Sequence, residues 1–202
     1  MAKIYFYDFS HYEGNIENLY LSLDEDDKKE LKNIKNERKK RQFAFSRFLL
    51  RYALNENGYE KEKIIKNKYG KPYFASGFPY FNISHSENAV CVALSEREIG
   101  IDVQKRKEIS KKLIAGFFSN EEEKIIREGI TTACDLWSIK ESILKYDGTG
   151  IVRFADDSKI MFSGKKIFIK DRPELKISNF SDYTYAIYLW STDAKNVFYN
   201  VG

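Results

Sequence analysis

The chain has 202 residues, 43% hydrophobic and 32% charged, with three Pro and eleven Gly. That is enough to build a sizeable core in one large domain or two small ones packed together, and it excludes a disordered chain. The net charge of +4 falls short of a dedicated nucleic-acid binder and suits a phosphate-rich small ligand or an acidic protein partner.

No apolar run approaches the roughly 20 residues that span a bilayer, and Met1 to Asp8 lacks the apolar centre of a signal peptide. The expectation is a soluble cytoplasmic protein with no membrane or nucleic-acid partner. Cys91 and Cys134 lie in apolar stretches without metal spacing and read as buried reduced thiols. With only His11 and His85 besides, a histidine-based zinc site is disfavoured.

In chain order, Lys3 to Phe9 reads as a strand and Asp24 to Asn57 as helix in one or two pieces, stopped at Asn57-Gly58. Within that helix Phe45, Phe48, Leu49 and Tyr52 form an apolar stripe, and Arg47 and Arg51 interrupt it. Tyr69-Gly-Lys-Pro72 is a turn. Tyr80 to Ser84, Ala89 to Leu94 and Ile99 to Val103 read as strands, the last two joined across Ser95 to Glu98 as a hairpin. Ser119 opens another helical region, with Glu at three of the next four positions to suit a helix start. Asp135 to Tyr146 is a further helix, ended by Asp147-Gly-Thr-Gly150. From Ile151 the chain reads as β, with strands at Lys165 to Lys170, Tyr183 to Trp190 and Val197 to Tyr199. Each half supplies helix and then strands closing in a hairpin, which suggests a duplicated α+β architecture.

Four segments carry chemistry. In Gly100-Ile-Asp-Val-Gln104 the strand period puts Asp102 and Gln104 on the face opposite Ile101 and Val103. A carboxylate there is costly unless paired or bound to a cation. In Asp135 to Lys145, Leu136, Ile139 and Ile143 form the inward stripe, so Trp137, Glu141 and Lys145 share an outward side. Asn82-Ile-Ser-His-Ser86 offers hydroxyls and an imidazole at a strand end, a set suited to phosphate oxygens. Gly116-Phe-Phe-Ser119 leads into Glu121 to Glu123. Each taken singly is also met by an ordinary polar turn or solvated helix face.

Together these segments resemble the Sfp-type 4′-phosphopantetheinyl transferases. The resemblance runs from about Arg38 to Ile151, on Tyr69-Gly-Lys-Pro72, Phe81-Asn-Ile-Ser-His-Ser86, Gly100-Ile-Asp102, Phe117-Phe-Ser119 with Glu122, and Trp137-Ser-Ile-Lys-Glu141 with Lys145 and Gly148-x-Gly150. It implies two similar α/β halves related by a pseudo-twofold axis. Residues 1–98 would lie on the coenzyme A nucleotide side, and residues 99–202 would carry the metal and catalytic carboxylates, with the active site between the halves. It implies transfer of the 4′-phosphopantetheine arm of coenzyme A to a serine of an apo acyl or peptidyl carrier protein, releasing adenosine 3′,5′-bisphosphate. Magnesium is the implied ion, with manganese as a substitute, and a monomer is the implied state.

By the same resemblance Asp102 and Glu141 hold the metal, and Glu122 is the base for the serine hydroxyl. Lys145 stabilises the phosphates in the transition state. Arg47, Lys71, Ser84 and His85 contact coenzyme A phosphates, and the Lys71-Pro72 backbone walls the adenine side. The carrier would meet Lys105 to Phe118 through Ile109, Leu113, Ile114 and Phe117. One departure is Gln104, where many relatives have Glu, so that position would bind the ion weakly or through water. Two rival readings are a non-catalytic coenzyme A or carrier-binding module of the same fold and a basic RNA-binding protein built on Lys28 to Arg51. Intact Glu122, Glu141 and Lys145 oppose the first, and the modest charge opposes the second.

Overall fold

A computed structural model describes residues 1–59, 62–149, 160–163, 166–169, 172–193 and 195–202. The elements run β1 (Ala2–Asp8), α1 (Ile16–Ser22), α2 (Glu25–Asn33), α3 (Glu37–Glu56), β2 (Ile64–Lys66), β3 (Pro72–Phe74), β4 (Tyr80–Ser86), β5 (Ala89–Ser95), β6 (Ile99–Lys105), α4 (Lys111–Phe117), α5 (Asn120–Arg127), α6 (Ala133–Asp147), β7 (Ile160–Ser163), β8 (Lys166–Ile169), β9 (Lys176–Asn179), β10 (Tyr185–Ser191) and β11 (Asn196–Asn200). Gly150 and the strand ends expected at Lys165 and Lys170 lie outside the described residues.

The mixed α+β class is as the sequence suggests. One sheet has the order β11-β1-β5-β4 and a second β6-β10-β9, with two small two-stranded sheets beside them. Side-chain alternation stacks these into four layers. On β5, Val90, Val92 and Leu94 face α3 through Phe45, Leu49 and Ala53. The alternate residues Ala89, Cys91 and Ala93 are small and meet Ile99, Ile101 and Val103 of β6. On β10, Ala186, Tyr188 and Trp190 turn the other way, onto Ile139 and Ile143 of α6. Both cysteines are buried and free.

Three expectations are corrected. Ala89 to Val103 is not a hairpin: β5 pairs with β1 and β4, whereas β6 pairs with β10. Tyr183 to Val201 is not one either, because β11 leaves β10 and runs parallel to β1. In both places the chain passes between stacked sheets; β5 and β10 are buried along their whole length and β6 over its first five residues. The core stripe of α3 is also displaced. Phe45 and Leu49 are buried, but Phe48 and Tyr52 are exposed, and Leu50, Ala53 and Leu54 complete the inward face.

The 98/99 division falls between β5 and β6, which is also where the sheets separate, except that β11 returns to β1. No helix among the described residues is long and apolar enough to cross a membrane.

Candidate active site

The site forms where α6 lies directly on β6. Gly100 permits this approach. A Cβ there would stand 2.1 Å from the Ser142 carbonyl oxygen and 2.2 Å from the Tyr146 nitrogen, both helix backbone. The helix is fixed at its ends by Thr132, whose side chain caps Asp135 N, and by Gly148 in the left-handed conformation. Trp190 Nε1 donates to the Ile139 carbonyl at 3.1 Å and pins the middle.

Two residues beyond Gly100, on the same face, Asp102 is 4% exposed. Its Oδ1 accepts from Ser84 Oγ at 2.8 Å and from Lys145 Nζ at 2.5 Å. Its Oδ2 is buried and has no hydrogen-bond partner. Such an atom is costly unless something positive reaches it. Glu141, one helical turn before Lys145, is half-buried rather than on the open helix face expected of it. Burial pushes its carboxyl above the ordinary range; the Lys145 ammonium opposes that shift and the Asp102 carboxylate adds to it. Two desolvated carboxylates, one with a bare oxygen, make a donor set suited to a hard divalent cation. Gln104 shares the strand face and is half-buried. Among the described residues no cluster of three or more His, Cys, Asp or Glu stands ready as a cage, so any ion here would need further ligands from substrate or water.

The Asn82 to Ser86 motif is a seam between the two sheets. Asn82 Oδ1 accepts from Ile101 N, Ser84 Oγ from Val103 N, and Ser86 Oγ from Lys105 N, at 2.9, 3.1 and 2.9 Å. Side chains of β4 thus replace the backbone ladder that β4 and β6 do not share. His85 points to the opposite side and is accessible. Partial loss of solvent around its ring, and then the Lys145 ammonium, hold its imidazole below the ordinary value, with Lys39 of α3 adding a smaller effect.

Lys71 and Pro72 line a cleft of about 250 Å³ with Tyr73, Pro79, Glu98 and Gly148. Lys71 Nζ donates to the Tyr146 carbonyl at 2.9 Å, and Asn67 Nδ2 to the Gly148 carbonyl at 3.1 Å. The end of α6 is thereby tied to the turn before β3. Burial lowers the Lys71 ammonium below its ordinary value, and Glu98 opposes that shift.

Glu122 forms a capping box with Ser119 at the start of α5. Its Oε2 accepts from Ser119 N, and Lys140 Nζ reaches both oxygens, at 3.0 and 2.8 Å. Lys140 also donates to the Phe117 carbonyl. Sequence reasoning missed Lys140 because a lysine beside Glu141 on a helix reads as solvated, whereas this one is 4% exposed. Ser138 was missed too; its hydroxyl lies 3.4 Å from the carbonyl oxygens of Asp102 and Ala186.

Arg47 lies on the contact of α2 with α3. Its guanidinium stacks over Phe43, and its Nε lies 2.9 Å from Asp27 Oδ1. Arg51 reaches Asp27 Oδ2 at 2.7 Å, so both arginines fasten α2 to α3. The helix α4 buries none of its residues, although Ile109 before it packs on the α6 core.

Residues 98–190 match the sequence model of the 4′-phosphopantetheinyl transferase superfamily. That stretch holds Asp102, Gln104, Glu122, Glu141 and Lys145. The chain is similar to the 4′-phosphopantetheinyl transferase gsp of Aneurinibacillus migulanus, 34% identical over 108 residues, which is 50% of this chain and 45% of that protein. It is 38% identical over 91 residues to the 4′-phosphopantetheinyl transferase Sfp of Bacillus subtilis (strain 168), 42% of this chain and 40% of that one. To the 4′-phosphopantetheinyl transferase ffp of Bacillus subtilis it is 35% identical over 108 residues, 46% and 48%. The chain spans about half the length of the curated relatives it matches. The resemblance to Sfp-type 4′-phosphopantetheinyl transferases read from the motifs is borne out over this stretch.

Proposed function

We propose that this protein moves the 4′-phosphopantetheine arm of coenzyme A onto a serine of an apo acyl or peptidyl carrier protein, in the cytoplasm and as a monomer. The observation that carries the reading is the bare, buried Asp102 Oδ2 beside a desolvated Glu141. Asp102 and Glu141 are the residues to hold a magnesium or manganese ion, with Gln104 contributing directly or through water. Such an ion, when bound, supplies positive charge against pyrophosphate oxygens.

The rest is the work of the chain's own residues. The carrier serine oxygen bonds to the β-phosphorus, and the bond from that phosphorus to the bridging oxygen of adenosine 3′,5′-bisphosphate breaks. Lys145, whose ammonium lies against Asp102, meets the charge on the phosphates. The serine proton needs an acceptor. Glu122 fits if it uses Oε1, which accepts from Lys140 and has a second lone pair. His85 and Lys71, with the Pro72 backbone, make the nucleotide side, joined by Lys39. Arg47, paired with Asp27 on the α2–α3 contact, is the further candidate for a coenzyme A phosphate, since Asp27 is shared with Arg51. The site then lies between β4 of residues 1–98 and β6 with α6 of residues 99–202, in keeping with two halves.

The test is Glu141→Ala, assayed for transfer, with circular dichroism as the control for fold. Loss of transfer with an unchanged spectrum is expected. Undiminished transfer would sink the metal assignment. Gln104→Glu should lower the magnesium concentration needed, and an unchanged requirement would put position 104 outside the coordination shell.

A further inference from the structure

We infer that Ser84 is a positioning residue for Asp102 and makes no contact with a phosphate of the substrate. The inference rests on the reading of Asp102 as a ligand of a divalent ion. A serine hydroxyl has one proton and two lone pairs, and here all three are in use. The proton goes to Asp102 Oδ1 at 2.8 Å. The lone pairs take Val103 N at 3.1 Å and Lys145 Nζ at 2.7 Å. A phosphate oxygen accepts and therefore needs a donor. Ser84 has no second proton to offer, and its side chain is 2% exposed.

What the bond accomplishes is orientation. The terminal torsion of an aspartate is broad and nearly two-fold, so a carboxylate held by one lysine alone can swing. Ser84, itself anchored on the β6 backbone, fixes Oδ1 toward β4 and Lys145. Oδ2 is then the oxygen left bare and presented to a cation. Partners of this kind orient metal ligands, and their loss commonly costs tenfold or more in affinity. The same seam supplies an internal control. Ser86 is tied to β6 in the same way, its Oγ accepting from Lys105 N at 2.9 Å, but the carboxylate of Asp102 is bonded to Ser84.

The experiment titrates Mn2+ into the metal-free full chain, with free Mn2+ followed by electron paramagnetic resonance. Asp102→Asn identifies the signal that belongs to this site. Ser84→Ala is expected to weaken Mn2+ binding about tenfold, and Ser86→Ala to leave it unchanged. Coenzyme A titrated in chelator should bind Ser84→Ala as it binds the parent. Should Ser84→Ala fail to fold, Ser84→Cys keeps the volume with a weaker donor and is expected to show a smaller loss of Mn2+ affinity in the same direction. The inference is overturned by unchanged Mn2+ affinity in the Ser84 variants, by an equal loss in Ser86→Ala, by a loss of coenzyme A affinity in chelator, or by a parent that binds no Mn2+. Failure of the transferase reading looks different: the Mn2+ pattern holds, and no carrier protein is modified.

Discussion

Lys145, in the last turn of α6, holds its ammonium 2.5 Å from Asp102 Oδ1 on β6. One positive charge thus joins the two elements that carry the candidate carboxylates. Removing it leaves Asp102 buried with Ser84 as its remaining charge-stabilising contact. Lys145→Met should lower stability in chelator by about 2 kcal/mol, less than a fully buried pair would lose, because Lys145 is partly exposed. Magnesium should then raise the melting temperature of the variant more than that of the parent, since the ion would take over the lost charge. Thermal melts with and without magnesium read both effects. An equal gain in the two proteins would contradict this.

The approach of α6 to β6 leaves no room at Gly100. Gly100→Ala drives a methyl group into helix backbone, which cannot rotate away as a side chain can. We expect a loss of about 3 kcal/mol or more, together with weaker metal binding as Glu141 is pushed from Asp102. Denaturant unfolding and Mn2+ titration report the two. A variant as stable as the parent would mean that the helix is not seated so closely.

Lys140 and Glu122 form a buried pair at 2.8 Å, with both side chains nearly covered. Removing one partner strands a buried charge, so Lys140→Ala should cost about 3–5 kcal/mol. Lys140→Met combined with Glu122→Leu should recover much of that stability, and it should still fail to transfer if Glu122 is the base. Stability and transfer measured on the same variants separate the structural role of Glu122 from its chemical one.

Asp135 gives a pH dependence with a definite sign. Burial alone would raise its carboxyl, but donors from Arg106 (bidentate, 2.9 and 2.8 Å), Thr132 and Tyr188 hold it below the ordinary value. A depressed carboxyl contributes stability that is present above its unfolded value, near 4, and is lost as pH falls through the folded value. Asp135→Asn should therefore lose about 1–3 kcal/mol at neutral pH. The gap to the parent should close as pH drops below about 4. A gap constant from neutral pH to pH 3 would be inconsistent with this account.

Local pattern carried the site a long way. The strand period alone put Asp102 opposite Ile101 and Val103, and the spacing of four put Glu141 and Lys145 on one side of α6. What sequence could not show was the partner in each case. For Arg47 it is Asp27, twenty residues upstream on another helix. For Ser84 it is Val103 N and Asp102, which nothing local in the sequence reveals. The false hairpins have the same origin. A four-residue link fits a tight turn, but β5 and β6 are buried on both faces, and which edge each strand pairs is decided by distant chain. The outward side of α6 was read as open to water because the chain that covers it, β6 and the turn before β3, is likewise remote.

The central claim is transfer itself, and intact mass spectrometry of an apo carrier protein measures it most directly. The carrier is incubated with this protein, coenzyme A and magnesium, with and without chelator. The account predicts a gain of one phosphopantetheine on the carrier, abolished by chelator and absent with Asp102→Asn. An unmodified mass for both acyl and peptidyl carriers, from a protein that still binds coenzyme A, would contradict it and leave a binding module in place of an enzyme.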